Sequence, residues 1–259
     1  MKIGIFDSGL GGLWVLAHLQ RELPQYEYVF LADQAHVPYG ERTAEEIVNL
    51  SFNNTDFLLA QGCEIIVVAC NTATSAAINK LREKYSDIPF VGMEPAIKPA
   101  TENSKTGHIG VLATKLTIEG ERIKETINKF ANGVEVHTCI GQGLVELVEE
   151  GKSDTDEAEV LLKKYLQLLL DENIDQLVLG CTHYPFLIKR IQKILGDKVN
   201  IIDPAPAVVN RVKFLLSEKG IVLNDGVGNI QFFTTGDENK MQKFTQELFP
   251  NINVAHIAI

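Results

Sequence analysis

"VVACNTAT" (67–74) and "LVLGCTHYP" (177–185) are two short apolar runs that each end in a cysteine, followed at once by Asn71-Thr72 or by Thr182. Cys70 and Cys181 lie 111 residues apart. An apolar run rich in Val and Leu reads as a buried strand, and the amphipathic stretch "TATSAAINKLREKY" (72–85) reads as a helix. The same unit, a strand carrying a thiol at its carboxyl end and leading into a helix, is expected twice.

The pattern extends outward from both copies. "KIGIFD" (2–7), "YVFLAD" (28–33), "IIVVAC" (65–70) and "PFVGM" (89–93) read as strands, and "GGLWVLAHLQREL" (11–23) and "TAEEIVNLSFNNTDFLLAQ" (43–61) as amphipathic helices between them. The series then restarts. "KIGIFDSG" matches "HIGVLATK" at 108, "YVFLAD" matches "VEVHTC" (134–139), "GCEIIVVACN" matches "NIDQLVLGCT" at 173, and "IPFVGMEP" matches "VNIIDPAP" at 199. Four elements in one order imply two similar, pseudo-symmetric α/β domains with mainly parallel sheets. The remainder, around "NIQFFTTGD" (229–237), is too short for a third unit and returns to the first. The expected division is 1–98 plus 207–259 for the first domain and 99–206 for the second. The expected active site is the inter-domain cleft.

Composition narrows the function. The 259 residues are 45% hydrophobic and 22% charged, with a net charge of −10. That balance disfavours a general nucleic-acid binder, which needs a basic face. No run reaches the roughly 18 apolar residues of a membrane span, and the N-terminal stretch lacks a signal-peptide core, so a cytoplasmic protein is expected. The four cysteines (Cys63, Cys70, Cys139 and Cys181) form no C-x-x-C pair. No histidine sits at metal-ligand spacing from another, so no metal is expected. His18, His36, His108, His137 and His256 carry no recognisable arrangement. "GLGG" (9–12) fails the dinucleotide pattern because Trp14 takes the last glycine position, and no phosphate loop is present. Gly9, Gly11 and Gly12 are instead expected as turn residues offering amides to a substrate carboxylate.

Ligands of open parallel sheets bind at the carboxyl ends of strands. Asp7 and Ser8, Asp33, and Cys70 with Asn71 and Thr72 fall at those ends in the first repeat. Thr114, Thr117, Cys181, Thr182 and His183 fall there in the second. Each cysteine precedes an expected helix, whose free amides and dipole favour a thiolate, with Asn71 and Thr182 as expected caps. Cys63 and Cys139 read as buried packing thiols. Two thiols across a cleft suit racemisation: one removes a proton from one face of a chiral carbon and the other returns one to the opposite face.

Four blocks, "FDSGLGG" (6–12), "ADQAHVPYG" (32–40), "ACNTAT" (69–74) and "LGCTHYP" (179–185), resemble those of the glutamate racemase family, within the aspartate/glutamate racemases. The likeness runs in order from residue 3 to about 206. It implies a cofactor-independent homodimer of two α/β domains that makes D-glutamate for peptidoglycan. Position by position, it implies Cys70 as the base for D-glutamate and Cys181 as the base for L-glutamate. Asp7 then assists Cys70 and His183 assists Cys181. Ser8, Pro38, Tyr39, Gly40, Asn71, Thr72, Thr114, Thr117 and Thr182 fall on substrate-holding positions. The family's proline-rich block before an acidic residue is replaced here by "CIGQGLVELVEE" (139–150), so either Glu149 or Glu150 can be its equivalent. The charged stretch 149–159 otherwise reads as a solvated loop and helix start.

Three other readings compete. They are a racemase for aspartate or another small acid, a binding module that retains the fold, and a thiol redox protein. The last would need two cysteines in one short motif.

Overall fold

The apolar runs form strands buried on both faces, as parallel strands flanked by helices require. The computed structural model describes residues 1–218 and 226–259. They divide into two units, Met1–Met93 with Ala205–Ile259, and Glu94–Pro204.

The first unit begins β1 (Lys2–Asp7), α1 (Leu13–Glu22), β2 (Glu27–Ala32), α2 (Ala44–Ala60), β3 (Cys63–Val68), α3 (Asn71–Lys84) and β4 (Phe90–Gly92). The second contains α4 (Ile97–Asn103), β5 (His108–Ala113), α5 (Lys115–Glu119), α6 (Glu121–Phe130), β6 (Glu135–Ile140), α7 (Leu144–Glu149), α8 (Asp156–Leu170), β7 (Gln176–Gly180), α9 (Ile188–Leu195) and β8 (Asn200–Ile202). The chain then returns to the first unit with α10 (Ala205–Glu218), β9 (Ile230–Thr234), α11 (Glu238–Thr245) and β10 (Val254–His256).

Strand order is β10-β9-β2-β1-β3-β4 in the first sheet and β6-β5-β7-β8 in the second. The first four strands of each repeat therefore adopt one order, second-first-third-fourth, and their paired neighbours are parallel. The returning segment extends only the first sheet, by pairing β9 with β2.

Gly4 and Gly110 explain one feature of the repeat. A Cβ at Gly4 would lie 2.8 Å from Ile66 Cδ1, and one at Gly110 would lie 2.7 Å from Ile174 Cδ1. Each central strand gives up a side chain so that an isoleucine can pack against it.

The helices are set by local chemistry. α2 opens with a capping box, in which Thr43 Oγ1 accepts the Glu46 amide and Glu46 reaches back to the Thr43 amide. α3 buries Ala73, Ala77, Ile78 and Leu81, a stripe at helical spacing. Truncating a fully buried member such as Leu81 to alanine should cost about 2–5 kcal/mol. Among the described residues no helix is long and apolar enough to cross a membrane.

Candidate active site

The first unit gathers its candidate groups where β1, β2 and β3 end. Asp7 closes β1 and is fully buried. Its Oδ2 accepts the Gly9 and Gly12 amides at 3.2 and 3.0 Å. The glycine turn thus aims two amides at Asp7, not at a substrate carboxylate as the sequence led us to expect. A carboxylate removed from water requires such donors.

Cys70 lies two residues beyond β3 and is itself the N-cap of α3. Its Sγ accepts the Ala73 amide at 3.4 Å, and the thiol donates to Ser8 Oγ at 3.6 Å. The expected cap, Asn71, is instead the first helical residue. Sulfur here does the work of a capping oxygen, at the positive end of a 14-residue helix. Asn71 donates through Nδ2 to the Met93 carbonyl, while its buried Oδ1 has no partner among the described residues. Thr72 is buried in the same turn.

The 38–40 loop is tied to the end of β2. Tyr39 is buried, and its hydroxyl donates to Asp33 Oδ2 at 2.5 Å and accepts from Asn54 Nδ2 at 3.1 Å. Asp33 Oδ1 accepts from Thr235 Oγ1 and faces His36 Nδ1, both at 2.8 Å. Burial first, then the charge and hydrogen bond of Asp33, hold the Tyr39 phenol well above its ordinary value, and Cys70 acts in the same direction. Pro38, joined to Val37 by a cis peptide, and Gly40 flank this ring.

The second unit assembles its groups after β5 and β7. Thr114 caps the short α5. Its Oγ1 accepts the Thr117 amide at 3.4 Å and donates to Thr117 Oγ1 at 2.9 Å. Cys181 follows β7 directly, yet no α-helix starts there. A turn leads into a 3-10 segment, Tyr184–Leu187, with His183 at its N-cap position and no side-chain cap, so Thr182 does not have its expected capping role. Pro185 has no amide to give an α-helical ladder, and α9 begins only at Ile188.

Cys181 has a side-chain relay instead. Its Sγ lies 3.8 Å from His183 Nδ1, and His183 Nε2 lies 2.7 Å from Glu149 Oε1. Thr182 Oγ1 is 3.5 Å from the same Nδ1. His183 and Glu149 are 1% and 5% exposed. Burial alone would depress the imidazole pKa. The hydrogen bonds and charges of Cys181 and Glu149 outweigh it and raise the value well above the ordinary one. Of the two adjacent glutamates, Glu149 meets His183, whereas Glu150 is exposed and paired with Lys152 at 2.6 Å. Glu149 is therefore not part of a solvated charged stretch.

The other two thiols have a different character. Burial pushes Cys63 up to about 12 and also raises Cys139, which suits packing groups. Sequence reading assigned no role to Asn54, Thr235 or Tyr184. Asn54 carried a signal, a polar residue within the apolar stripe of α2. Tyr184, within the "LGCTHYP" block, is fully buried and donates to the Gly141 carbonyl at 3.0 Å.

Comparisons with known proteins agree over nearly the whole chain. The Asp/Glu/Hydantoin racemase family profile matches residues 15–212. A glutamate racemase of Roseiflexus sp. is 43% identical over 248 residues, covering 95% of this chain and 91% of that one. Among solved structures, a glutamate racemase isoform from Bacillus anthracis superposes with a TM-score of 0.89 at 33% identity, covering 99% of this chain and 96% of that one. Glutamate racemase from Escherichia coli, solved with L-glutamate and the activator UDP-MurNAc-Ala, gives 0.87 at 30% identity, covering 99% and 98%. With a family match across most of its length and relatives of this similarity, the chain belongs to the Asp/Glu/Hydantoin racemase family and is a racemase.

Proposed function

We propose that the protein interconverts L- and D-glutamate without a cofactor, using Cys70 and Cys181 as two bases on opposite faces of the α-carbon. The observation that carries this reading is the pair of buried thiols. Each lies just past the third strand of its own repeat, and each has separate polar support. The substrate follows from the named glutamate racemases to which the chain is similar.

In the L-to-D direction, Cys181 as thiolate takes the α-proton and the Cys70 thiol delivers its proton to the other face. The D-to-L direction exchanges these roles. The electron pair left by the departing proton is held on the α-carbon and its carboxylate, which preorganised donors stabilise. Ser8, Thr72, Thr114, Thr117 and Thr182, together with the 38–40 loop, hold the substrate's polar groups in this reading. The unpartnered Asn71 Oδ1 accepts from its ammonium. Asp7 serves the Cys70 side, and His183 with Glu149 serves the Cys181 side. The same reading carries a homodimer in the cytoplasm that supplies D-glutamate for peptidoglycan.

The test is circular dichroism of L-glutamate and of L-aspartate, each incubated with purified protein and a chelator, without pyridoxal phosphate. Decay of the L-glutamate signal to zero is the expected result. Decay with aspartate alone would transfer the assignment to the related small-acid racemases. Activity only after pyridoxal phosphate or metal is added would overturn the two-thiol reading.

A further inference from the structure

A second cluster of ligand-type side chains lies at the opposite ends of the strands in the second unit. His108 is the first residue of β5 and Glu135 the first of β6. The register pairs His108 with Glu135 and Gly110 with His137. Side chains opposite one another, and those two residues further along, share a face of the sheet, so His108, Glu135 and His137 all project on one side. Glu135 lies 27 positions after His108 in sequence, which is why spacing alone gave no sign of the cluster.

The distances are those of a metal-ligand set. His108 Nδ1 lies 3.1 Å from His137 Nε2, and Glu135 Oε2 lies 3.7 Å from the first and 3.9 Å from the second. The circle through three atoms so spaced has a radius of about 2.1 Å, which is the length of zinc–nitrogen and zinc–oxygen bonds. Glu172 Oε2 is 3.5 Å from the other ring nitrogen of His137, Nδ1. That is the place of a carboxylate that orients a ligating histidine.

We propose that His108, Glu135 and His137 bind one divalent transition-metal ion of the zinc class, with Glu172 orienting His137 and water completing the coordination. Without metal, the two rings share a hydrogen bond between the facing nitrogens. Binding replaces that shared proton with the ion, and each ring turns about its Cβ–Cγ bond to aim its lone pair at the metal. The ion clamps the edge strand β6 to β5. Its ligands are partly open to solvent, with side chains 32%, 73% and 18% exposed for His108, Glu135 and His137, so an ion can enter from bulk water. Thr114 follows the far end of β5, a six-residue strand spanning about 17–20 Å, so the metal stands apart from the reacting groups of this unit.

Co2+ titration of the intact protein, followed by visible absorption and back-titrated with Zn2+, tests the site. One saturable ion per chain is expected, with ligand-field bands but no thiolate charge-transfer band. H108A and H137A should abolish this spectrum, E135Q should weaken binding at least tenfold, and E172Q should weaken it about 10–100-fold. Micromolar Zn2+ should raise the Tm of the wild type but not of H137A, with circular dichroism confirming that each variant is folded. Because Glu135 is 73% exposed, E135Q provides the reading that does not depend on folding. Absence of a saturable spectrum at millimolar Co2+, or a thiolate spectrum that persists in H137A, would overturn the proposal.

Discussion

The two cysteine sites arise from equivalent places in one repeated strand order, yet they support sulfur in different ways. Cys70 relies on backbone: it caps a 14-residue helix, takes the Ala73 amide and touches Ser8. Cys181 relies on side chains, through the buried chain from His183 to Glu149. The first device is built into the helix terminus. The second sets a buried imidazole between the Cys181 thiol and the Glu149 carboxyl group. The repeat sets where the thiols stand, and the residues that follow, the first helical turn "NTAT" and the turn "THYP", set what supports each.

The largest losses are expected at the sulfurs. Cys70→Ala and Cys181→Ala should each reduce racemisation by at least about 10³-fold, within the range for removing a general acid or base. Retention of substantial activity by either variant would point to a single mobile base.

Glu149→Gln should be next in effect. It withdraws one anionic partner from His183, and activity should fall about 10–100-fold, toward the lower end of the general acid–base range. Because the equilibrium constant of a racemisation is unity, kcat/KM must fall equally in both directions. Any asymmetry must therefore appear in kcat and KM separately. Stability provides an independent reading. The folded-state pKa of His183 is raised, so its contribution is fully present below the unfolded value of about 6.5 and is lost as pH rises through the folded value. Urea unfolding across that window should show this loss in the wild type and a smaller one in Glu149→Gln. The variant should be about 1.5–3 kcal/mol less stable at pH 6.

Tyr39→Phe tests the 38–40 loop of the first unit, proposed to hold the substrate. It leaves Asp33 Oδ2 and Asn54 Nδ2 without their partner, at about 1–3 kcal/mol in stability, and should raise KM more than it lowers kcat. Steady-state kinetics with both enantiomers reads the split. The smallest effect is expected from Cys63→Ala and Cys139→Ala, which should retain activity while costing about 1–3 kcal/mol in denaturant unfolding.

Much of this was legible in the chain, for identifiable reasons. Strands such as 2–7 and 176–180 are short apolar runs between turn formers, and burial on both faces leaves little choice of register. The repeat gave the shared order of four strands, because equivalent runs met equivalent neighbours. The caps were not legible: a sulfur capping its own helix looks like a spacer before asparagine, and a helix expected after Cys181 yields to the 3-10 turn at Pro185. Glu149 resembled its charged neighbours, because one buried carboxylate in an acidic stretch is identified only by the histidine that reaches it. The His108, Glu135 and His137 cluster was hidden for the same reason, since strand pairing makes neighbours of residues that sequence keeps apart.

The most direct test of the two-base account is α-proton exchange in D2O with the single-cysteine variants, followed by proton NMR of each enantiomer. Cys70→Ala keeps the base for L-glutamate, so L-glutamate should gain deuterium at the α-carbon without forming D-glutamate, while D-glutamate stays protonated. Cys181→Ala should show the mirror result. Exchange of both enantiomers by one variant, or deuterated product from either, would contradict the assignment of one thiol to each face.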